Sequence, residues 1–195
     1  MCLVGKAIVI SGTPGVGKTL VATRLVSRLG LSYLNLSDLV VRESLYVGVD
    51  EARGSLIIDE DRLVSRLTEL LSRSECDVIV DSHYGEVIPD EFVKAIFVLR
   101  LSPAILYERL ASRGWDKEKV RENVEAEILS ICTYNALNEH PETKVCEVDV
   151  TNREVDDVVE EIISVLNKVK KCEVWVDWLS NEALKDFITK LLSTS

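Results

Sequence analysis

The apolar positions of this chain follow two spacings that alternate along its length. Short, nearly continuous apolar runs are typical of buried strands, whereas apolar residues three and four apart are typical of helices packed on one side. The strand-like runs are 6–11, 32–36, 77–81, 95–101 and 144–150. The helix-like segments are 18–30, 59–73, 103–112, 117–139 and 154–169. Strands that alternate with helices in this way predict a five-stranded parallel sheet with helices on both faces.

The segments between these elements complete the predicted architecture. A serine–aspartate pair at 37–38 favours a short helix that runs to about residue 44, and the polar stretch 46–55, with two glycines, is typical of a loop. The tail over 172–195 has the pattern of a strand followed by an amphipathic helix. We therefore expect one domain, with residues 1–171 as its core and the tail as an extension of the same domain.

Composition and charge narrow the class of protein. The chain has 195 residues, 47% of them hydrophobic, which suits a single domain with a full core. No apolar run reaches the length of a membrane span, and the first apolar run leads directly into a motif, so we expect a strand rather than a signal peptide, and a cytoplasmic protein. The net charge of -10 argues against a DNA-binding surface but is compatible with a basic protein partner.

The cysteines show no metal-ligand spacing, so a zinc site is not expected. They are Cys2, Cys76, Cys132, Cys146 and Cys172. The favoured interpretation is that they are small buried hydrophobic residues. The absence of Gln and the single Met are features of thermophilic proteins, in which an intracellular disulfide is an alternative.

A glycine-rich segment follows the first predicted strand and precedes the first predicted helix. Residues 12–19, GTPGVGKT, fit the pattern G-x-x-x-x-G-K-[ST] in full. Glycines let successive backbone N–H groups turn inward, and these groups form a phosphate cradle with the helix N-terminus. In such a loop Lys18 reaches the outer phosphates and Thr19 offers its hydroxyl to Mg²⁺. The sequence therefore predicts a site for ATP and Mg²⁺ rather than a glycine-rich turn with a chance lysine.

The stretch VIVDSHYGE at 78–86 carries the candidate partners of this loop. Asp81 ends a predicted strand, where a second ligand for the Mg²⁺ of a phosphate loop is expected. His83 follows two positions later, and in extended backbone this spacing places both side chains on one face. We expect His83 to position a water or a substrate oxygen near the terminal phosphate; a hydrogen-bonded structural histidine is the alternative.

Two arginines lie near the end of the fourth predicted helix. Arg109 and Arg113 are four residues apart and share a helix face, and fixed guanidinium groups stabilise the charge of a phosphoryl group in transfer. The alternative is a solvated helix face that pairs with Glu108 and other acids. The next aromatic residue, Trp115, is compatible with stacking on a base or with packing on the core.

Three further segments accompany these motifs in order: DEARGSLIIDEDRLV at 50–64, LYERLASRGW at 106–115 and ENVEAEI at 122–128. Together with the phosphate loop and the Asp-x-His at 81–83, they resemble an archaeal-type member of the adenylate kinase isoenzyme six family. The similarity runs from about residue 6 to residue 169. It implies an adenylate-kinase-like P-loop NTPase core with a nucleoside-monophosphate region near 35–58 and a short lid near 112–122.

The resemblance also implies an activity and its residues. The activity is transfer of the terminal phosphoryl group of ATP-Mg²⁺ to AMP or a related monophosphate, together with ATP hydrolysis. Lys18, Asp81 and His83, with Arg109 and Arg113, are the candidate catalytic residues, and Thr19 and Asp81 the candidate metal ligands. By position, the ATP contacts fall on Gly15, Val16, Gly17, Lys18, Thr19, Leu20, Arg113 and Arg153.

A cellular role comes from the resemblance as well. The family's partner is a ribosomal protein of the small-subunit platform, and its role is rRNA processing during ribosome biogenesis. An alternative to a dedicated kinase is therefore an ATP-driven assembly factor that binds and releases this protein. A small-metabolite kinase on the same core is a third possibility, against which the Asp-x-His and the ENVEAEI segment argue.

The chain departs from the family pattern in three places. Val41 occupies a position that is basic in relatives, and Asp90-Glu91 follows Pro89 where relatives have Glu-Arg. The tail beyond about residue 170 has no recognised counterpart. The first departure leaves the contact with the monophosphate open.

Overall fold

A parallel sheet forms the centre of the computed structural model, which describes residues 5–51 and 54–193. The strands among these residues are β1 (Ala7–Ser11), β2 (Ser32–Asn35), β3 (Tyr46–Asp50), β4 (Ser55–Ile58), β5 (Val78–Asp81), β6 (Val93–Arg100) and β7 (Val145–Asp149). Five of them form the sheet in the order β2-β5-β1-β6-β7, and every neighbouring pair is parallel. The predicted five-stranded parallel sheet is confirmed.

Helices cover both faces of the sheet. They are α1 (Lys18–Leu29), α2 (Leu36–Arg42), α3 (Glu60–Ser72), α4 (Pro103–Ser112), α5 (Lys117–Ile128), α6 (Ile131–Glu139), α7 (Val155–Leu166) and α8 (Lys185–Ser193). One core cluster joins α1, α4, α5, α7 and α8 to the face with Ile8 and Ile10; the other joins α2, α3 and α6 to the face with Ala7 and Val9. This alternation follows from the two-residue period of a strand. None of the described helices is long and apolar enough to cross a membrane.

The region before α3 differs from its prediction in two respects. Helix α2 begins at Leu36, and the side chain that caps it is Asn35, which accepts from the backbone N–H of Asp38 at 3.0 Å. The stretch predicted as a loop contains β3, which pairs antiparallel with β4. The alternate residues Tyr46, Leu56 and Ile58 pack on the core, so burial of one face holds the pair despite its glycines.

The predicted long helix over 117–139 is two helices. Helix α5 ends at Ile128, and Ser130 adopts a left-handed conformation with a φ of 56° before α6 begins. This conformation interrupts the helical hydrogen bonds, because a residue with a positive φ does not continue a right-handed helix. The break redirects α6 onto the opposite core cluster from α5.

The tail forms α8 as predicted, but its expected strand is absent from the described part of 172–178. A single backbone bond joins this segment to β7, from the N–H of Glu147 to the carbonyl of Glu173 at 2.8 Å. The next two N–H groups, of Trp175 and Val176, donate to the Glu147 carboxylate at 2.8 and 2.7 Å. The carboxylate of Glu147 therefore accepts N–H groups that would donate to backbone carbonyls of β7 if the tail formed a strand.

Two cysteines form a disulfide. Cys146 on β7 is bonded to Cys172 at the start of the tail, 26 residues later. Cys76 is free and exposed, and Cys132 is free and partly buried. The interpretation of the cysteines as small buried hydrophobic residues is wrong for the exposed Cys76, whereas Cys132 packs partly buried against the core. Cys146 and Cys172 form the disulfide that was the alternative, and Cys2 lies outside the described residues.

Candidate active site

Three strand ends meet at one edge of the sheet and create the site. The register aligns Asp81 with Asn35 on one side and with Ile10 on the other. Strand β1 ends one residue after Ile10 and leads directly into the segment 12–17. Because neighbouring parallel strands end at the same edge, the phosphate loop and Asp81 are brought together.

Glycines allow the backbone conformation of the phosphate loop. A side chain at Gly12 would place its Cβ 2.5 Å from the carbonyl oxygen of Leu99, so only glycine fits there. Gly17 has a φ of 114° and directly precedes α1, whose first N–H groups lack partners within the helix. Val16 is buried and anchors the loop in the core. The result is a helix N-terminus of the kind that binds anions.

The ammonium of Lys18 lies across this loop. Its Nζ donates to the backbone carbonyls of Gly12 at 2.8 Å and of Thr13 at 3.2 Å. Burial lowers the pKa of Lys18, and the charge of Asp81 acts in the opposite direction. Lys18 is therefore a cation with little solvation, which favours contact with a phosphate.

Asp81 accepts hydrogen bonds from three side chains at one carboxylate oxygen. Oδ2 receives the hydroxyl of Thr19 at 2.6 Å, the hydroxyl of Tyr33 at 2.9 Å and the amide of Asn35 at 3.2 Å. Sequence reasoning did not identify Tyr33 and Asn35; the signal was the polar end of β2, a strand predicted beside the loop. These donors fix the carboxylate of Asp81 toward α1.

The oxygen ligands at this position fit Mg²⁺. Thr19 and Asp81 supply a hydroxyl and a carboxylate, which are ligands that hard divalent cations prefer. Within the described residues no cluster of three or more His, Cys, Asp or Glu is arranged to hold a metal. A magnesium ion here would consequently depend on phosphate oxygens for further ligands, as it does in nucleotide-binding sites.

His83 lies beyond the end of β5 and faces the same region. Desolvation in the cleft, followed by the charge of Lys18, lowers the pKa of His83 from 6.5 to about 4, and Asp81 opposes the shift. The imidazole is therefore neutral at physiological pH, with one nitrogen able to accept a proton. Its ring contacts Tyr84 edge-on, with 4.4 Å between the ring centroids.

A cavity of about 1020 Å³ extends from the phosphate loop. It passes between the start of α3 and β4 on one side and α5 and α6 on the other, and it is lined by Thr13, Ile58, His83, Trp115, Lys119, Asn135 and His140 among others. The predicted monophosphate region contributes Ser55 and Ile58, and the predicted lid contributes Trp115 and Lys119. Both regions therefore face one space next to the loop.

The far part of this cavity is polar. Asn135 donates to Glu86 at 3.1 Å, and burial raises the pKa of the Glu86 carboxyl. His140 is buried; its Nδ1 lies 3.1 Å from Asp90, and its Nε2 has no hydrogen-bond partner among the described residues. Buried polar atoms are normally paired, so this wall of the cavity is suited to a polar ligand.

The predicted arginines lie outside this cavity. Arg109 and Arg113 are exposed at the end of α4, and neither makes an ion pair with another described residue, Glu108 included. Arg153 is engaged with Glu161 at 2.5 Å and with the carbonyls of Asp149 and Asp157. Leu20 is exposed beside Thr19 in the first turn of α1. Lys18, Thr19, Asp81 and His83 are thus brought together, and the three arginines are not joined to them.

A buried carboxylate supports the loop from behind, and sequence reasoning did not identify it. Glu127 on α5 accepts from the hydroxyl of Thr13 at 2.7 Å and from Arg100 Nε at 2.8 Å. The sequence did contain an indication of this carboxylate. Glu127 lies on the same helix face as Val120 and Val124, where an apolar residue is expected. A charge at such a position needs a buried partner, which Arg100 provides.

Comparison with known proteins identifies the family. Residues 8–130 match the family described as AAA domain. Proteins named "Putative adenylate kinase" are 37% identical in Methanocaldococcus jannaschii, over 93% of this chain and 97% of the relative, and 39% identical in Pyrococcus abyssi, over 88% and 90%. This chain belongs to that adenylate kinase family. A third member, from Saccharolobus solfataricus, is 37% identical over 94% of this chain and 93% of its own length.

Solved structures show the same fold at low identity. A gluconokinase from Sinorhizobium meliloti superposes with a TM-score of 0.53 and 18% identity, over 87% of this chain and 95% of that one. A shikimate kinase from Bacteroides thetaiotaomicron gives 0.52 and 14%, over 84% and 97%. The adenylate kinase family member described here therefore has the P-loop kinase fold.

Proposed function

We propose that this protein is a nucleoside-monophosphate kinase that transfers the terminal phosphoryl group of ATP-Mg²⁺ to AMP or a related monophosphate. The observation that carries the proposal is the large cavity that begins at Thr13 and Pro14 of the phosphate loop and is lined by His83, two residues after Asp81. A protein that only hydrolysed ATP would need room for water at this point, whereas a volume of about 1020 Å³ accommodates a second nucleotide. The names of the relatives support the same activity.

The reaction assigns a separate task to each residue. An oxygen of the acceptor phosphate bonds to the γ-phosphorus of ATP, and the bond from that phosphorus to the β–γ bridging oxygen breaks, which leaves two ADP molecules when the acceptor is AMP. Lys18 exchanges its carbonyl partners for outer phosphate oxygens and stabilises the charge that develops on them. Thr19 and Asp81 would hold Mg²⁺, which would neutralise phosphate charge.

His83 gives the same site an ATPase activity when the acceptor position is empty. A neutral imidazole in the cavity wall can accept a hydrogen bond from a water molecule and orient it toward the terminal phosphate. Arg109 and Arg113 are not held by described partners, and we propose that they reach the phosphates when the adjoining lid region closes. Gly15, Val16, Gly17, Leu20 and Arg153 complete the proposed ATP contacts.

The acceptor would occupy the cavity with its base near the polar wall. Asn135, Glu86 and the unpaired Nε2 of His140 offer donors and acceptors to a nucleobase, and Trp115 offers an aromatic surface. Lys119 lies over the Trp115 ring, with Nζ 5.1 Å from the ring centroid, so a cation–π contact joins the two residues. The side chain of Val41 is uncharged and cannot form an ion pair with the acceptor phosphate. A residue other than Val41 would have to bind that phosphate.

A product assay tests the proposed activity. Purified protein is incubated with ATP and Mg²⁺, with and without AMP, and ADP and free phosphate are measured separately. ADP without an equal amount of phosphate, formed only when AMP is present, supports the kinase. ADP and phosphate in equal amounts, unaffected by AMP, support an ATPase and contradict the kinase.

A second role concerns a cytoplasmic partner, in accordance with the resemblance to the isoenzyme six family. We propose that the chain binds a basic platform protein of the small ribosomal subunit during rRNA maturation. A net charge of -10 suits a cationic partner, and Leu129 and Tyr134 near the α5–α6 junction are exposed apolar residues that could add contact area.

Titration tests this second role. The platform protein is added to this protein without nucleotide, with ADP and with a non-hydrolysable ATP analogue. Nucleotide-dependent affinity that weakens as salt is raised supports the assembly role. Absence of binding in all three states contradicts the partner, and equal affinity in all three contradicts a nucleotide switch.

A further inference from the structure

The buried carboxylate of Glu127 connects the phosphate loop to the C-terminal tail. Oε2 accepts from the Thr13 hydroxyl at 2.7 Å, and Oε1 accepts from Trp178 Nε1 at 3.0 Å and from Arg100 Nε at 2.8 Å. Trp178 is 6% exposed and Glu127 is 1% exposed, so water does not replace these donors. One side chain therefore holds a loop residue and a tail residue at the same time.

Several independent contacts hold the tail at this position. The disulfide joins its first residue to β7, and Glu147 accepts the backbone N–H groups of Trp175 and Val176. Arg100 donates to both Glu127 and Glu147, and its guanidinium carbon lies 5.9 Å from the Trp178 ring centroid. The tail residues Val176, Leu184, Ile188 and Leu191 are buried in the core cluster that contains α1. The tail is thus a fixed part of the domain.

The charges in this cluster make its neutral donors important. Two buried carboxylates, Glu127 and Glu147, share the single guanidinium of Arg100, so the three groups together carry an excess negative charge. A buried carboxylate is tolerated only when its oxygens are hydrogen-bonded. Thr13 and Trp178 are two of the donors that satisfy Glu127, and loss of either one changes how the carboxylate is held.

Thr13 transmits this arrangement to Lys18. The hydroxyl of Thr13 is held by Glu127, while its backbone carbonyl accepts from the Lys18 ammonium at 3.2 Å. A continuous series of hydrogen bonds therefore runs from Trp178 through Glu127 and Thr13 to Lys18. A displacement of Glu127 moves the residue against which the ammonium rests.

We propose that the segment 172–193 is a positioning element for the phosphate loop, with Trp178 acting through Glu127 on Thr13. Trp178 does not line the cavity, and its indole N–H donates to Glu127 rather than to a loop residue, so its effect on nucleotide binding is indirect. The inference rests on the proposed function in one respect only, that ATP is the ligand of the loop. The competing explanation is that the tail adds stability to the domain and leaves the loop unaffected.

The test uses Trp178→Phe, Thr13→Val and the double variant. Trp178→Phe keeps a buried aromatic ring and removes only the donor to Glu127, whereas Thr13→Val removes the donor on the loop side. Trp175→Phe is the matched control, because Trp175 lies in the same tail, is 59% exposed, and contacts the cluster through its backbone N–H, which donates to Glu147 and is kept in the variant. ATP affinity is measured by direct binding, at a temperature at which every variant is folded.

Hydrogen exchange provides a second readout that needs no nucleotide. Amide exchange of residues 12–19 is compared among the four variants and the wild type in the absence of ATP. This measurement reports the order of the loop directly, so it distinguishes failure of the inference from failure of the proposed function. A wild type that binds no ATP contradicts the proposed function, and the exchange data still decide the role of the tail.

We expect Trp178→Phe and Thr13→Val each to weaken ATP binding about threefold to tenfold and to speed exchange in the loop. The double variant should be weaker than wild type by less than the product of the two effects, because both remove parts of one series of bonds. Trp175→Phe should match the wild type. The proposal is overturned if Trp178→Phe lowers the melting temperature alone, with unchanged ATP affinity and loop exchange, or if the two effects simply multiply.

Discussion

The hydroxyl of Thr19 donates to the carboxylate of Asp81 at 2.6 Å, although 62 residues separate them in sequence. Thr19 opens α1 directly after the phosphate loop, and Asp81 ends the strand next to β1. Tyr33 and Asn35 hold the same carboxylate oxygen from β2. The two residues that we propose as Mg²⁺ ligands therefore lie within hydrogen-bond distance of each other at the end of the phosphate loop.

Replacement of Asp81 tests this pair. Asp81→Asn keeps an oxygen that can accept from Thr19 and removes the charge, so we expect turnover to fall roughly 10²–10³-fold while the fold is retained. Part of the loss should be recovered at high Mg²⁺ concentration. The control is Asp77→Asn, which alters a surface pair with Lys94 far from the loop. Normal turnover at low Mg²⁺ in folded Asp81→Asn contradicts the metal assignment.

Replacement of His83 separates hydrolysis from binding. His83→Ala removes a neutral imidazole that faces the cavity, and an oriented proton-handling group contributes about 10²–10⁴ in rate. We expect ATP hydrolysis without AMP to fall by an amount in this range, with ATP affinity changed by less than threefold or so. Loss of ATP affinity with an unchanged rate for each bound ATP would instead identify His83 as a binding or structural residue.

The lowered pKa of His83 predicts a direction for the pH dependence of stability. Its pKa is about 4 in the folded protein against an ordinary 6.5, so protonation favours the unfolded chain. The stability that the folded protein gains from neutral His83 is fully present above pH 6.5 and is lost as the pH falls toward 4. Chemical denaturation at several pH values should show the wild type losing stability relative to His83→Gln over this window. A constant difference between the two proteins from pH 7 to pH 4 contradicts the shift.

The disulfide predicts a large effect on stability. It closes a segment between Cys146 and Cys172, which are 26 residues apart, and a loop of this size corresponds to about 3.5 kcal/mol of unfolding free energy. Cys146→Ala with Cys172→Ala should lower stability by about this amount in urea denaturation. Cys76→Ala, at an exposed free cysteine, is the control and should leave the midpoint unchanged. An equal midpoint for all three proteins would rule out a stabilising disulfide.

Local patterns were sufficient to predict much of the fold and the centre of the site. Strands β1, β5, β6 and β7 and helices such as α1 and α7 have a strong apolar pattern, whereas β2 has only a weak one. In a parallel sheet the carboxyl ends of neighbouring strands lie at the same edge. The meeting of Thr19 with Asp81 follows from that topology, because a phosphate loop after β1 lies beside the end of a neighbouring strand. These features depend on short stretches of sequence, and sequence reasoning recovers them.

Other features depend on contacts that no short stretch specifies. The β3–β4 pair is held by one partly buried face, and the break between α5 and α6 occurs at Ser130, which adopts a left-handed conformation. The contact of Thr13 with Glu127 spans 114 residues, and the pairing of Cys146 with Cys172 depends on where the tail docks. A charge on the apolar face of α5 indicated a buried partner but did not identify it.

Transfer of labelled phosphate tests the central claim most directly. ATP labelled at the γ-phosphate is incubated with the protein, Mg²⁺ and unlabelled AMP, and the products are separated. Lys18→Ala serves as the control, because it removes the only ammonium that donates to the carbonyls of the described phosphate loop. We predict that the label appears in ADP with the wild type and that transfer falls at least 10²-fold or so in the variant. Label that appears only in free phosphate, in the same amount with and without AMP, would contradict a nucleoside-monophosphate kinase.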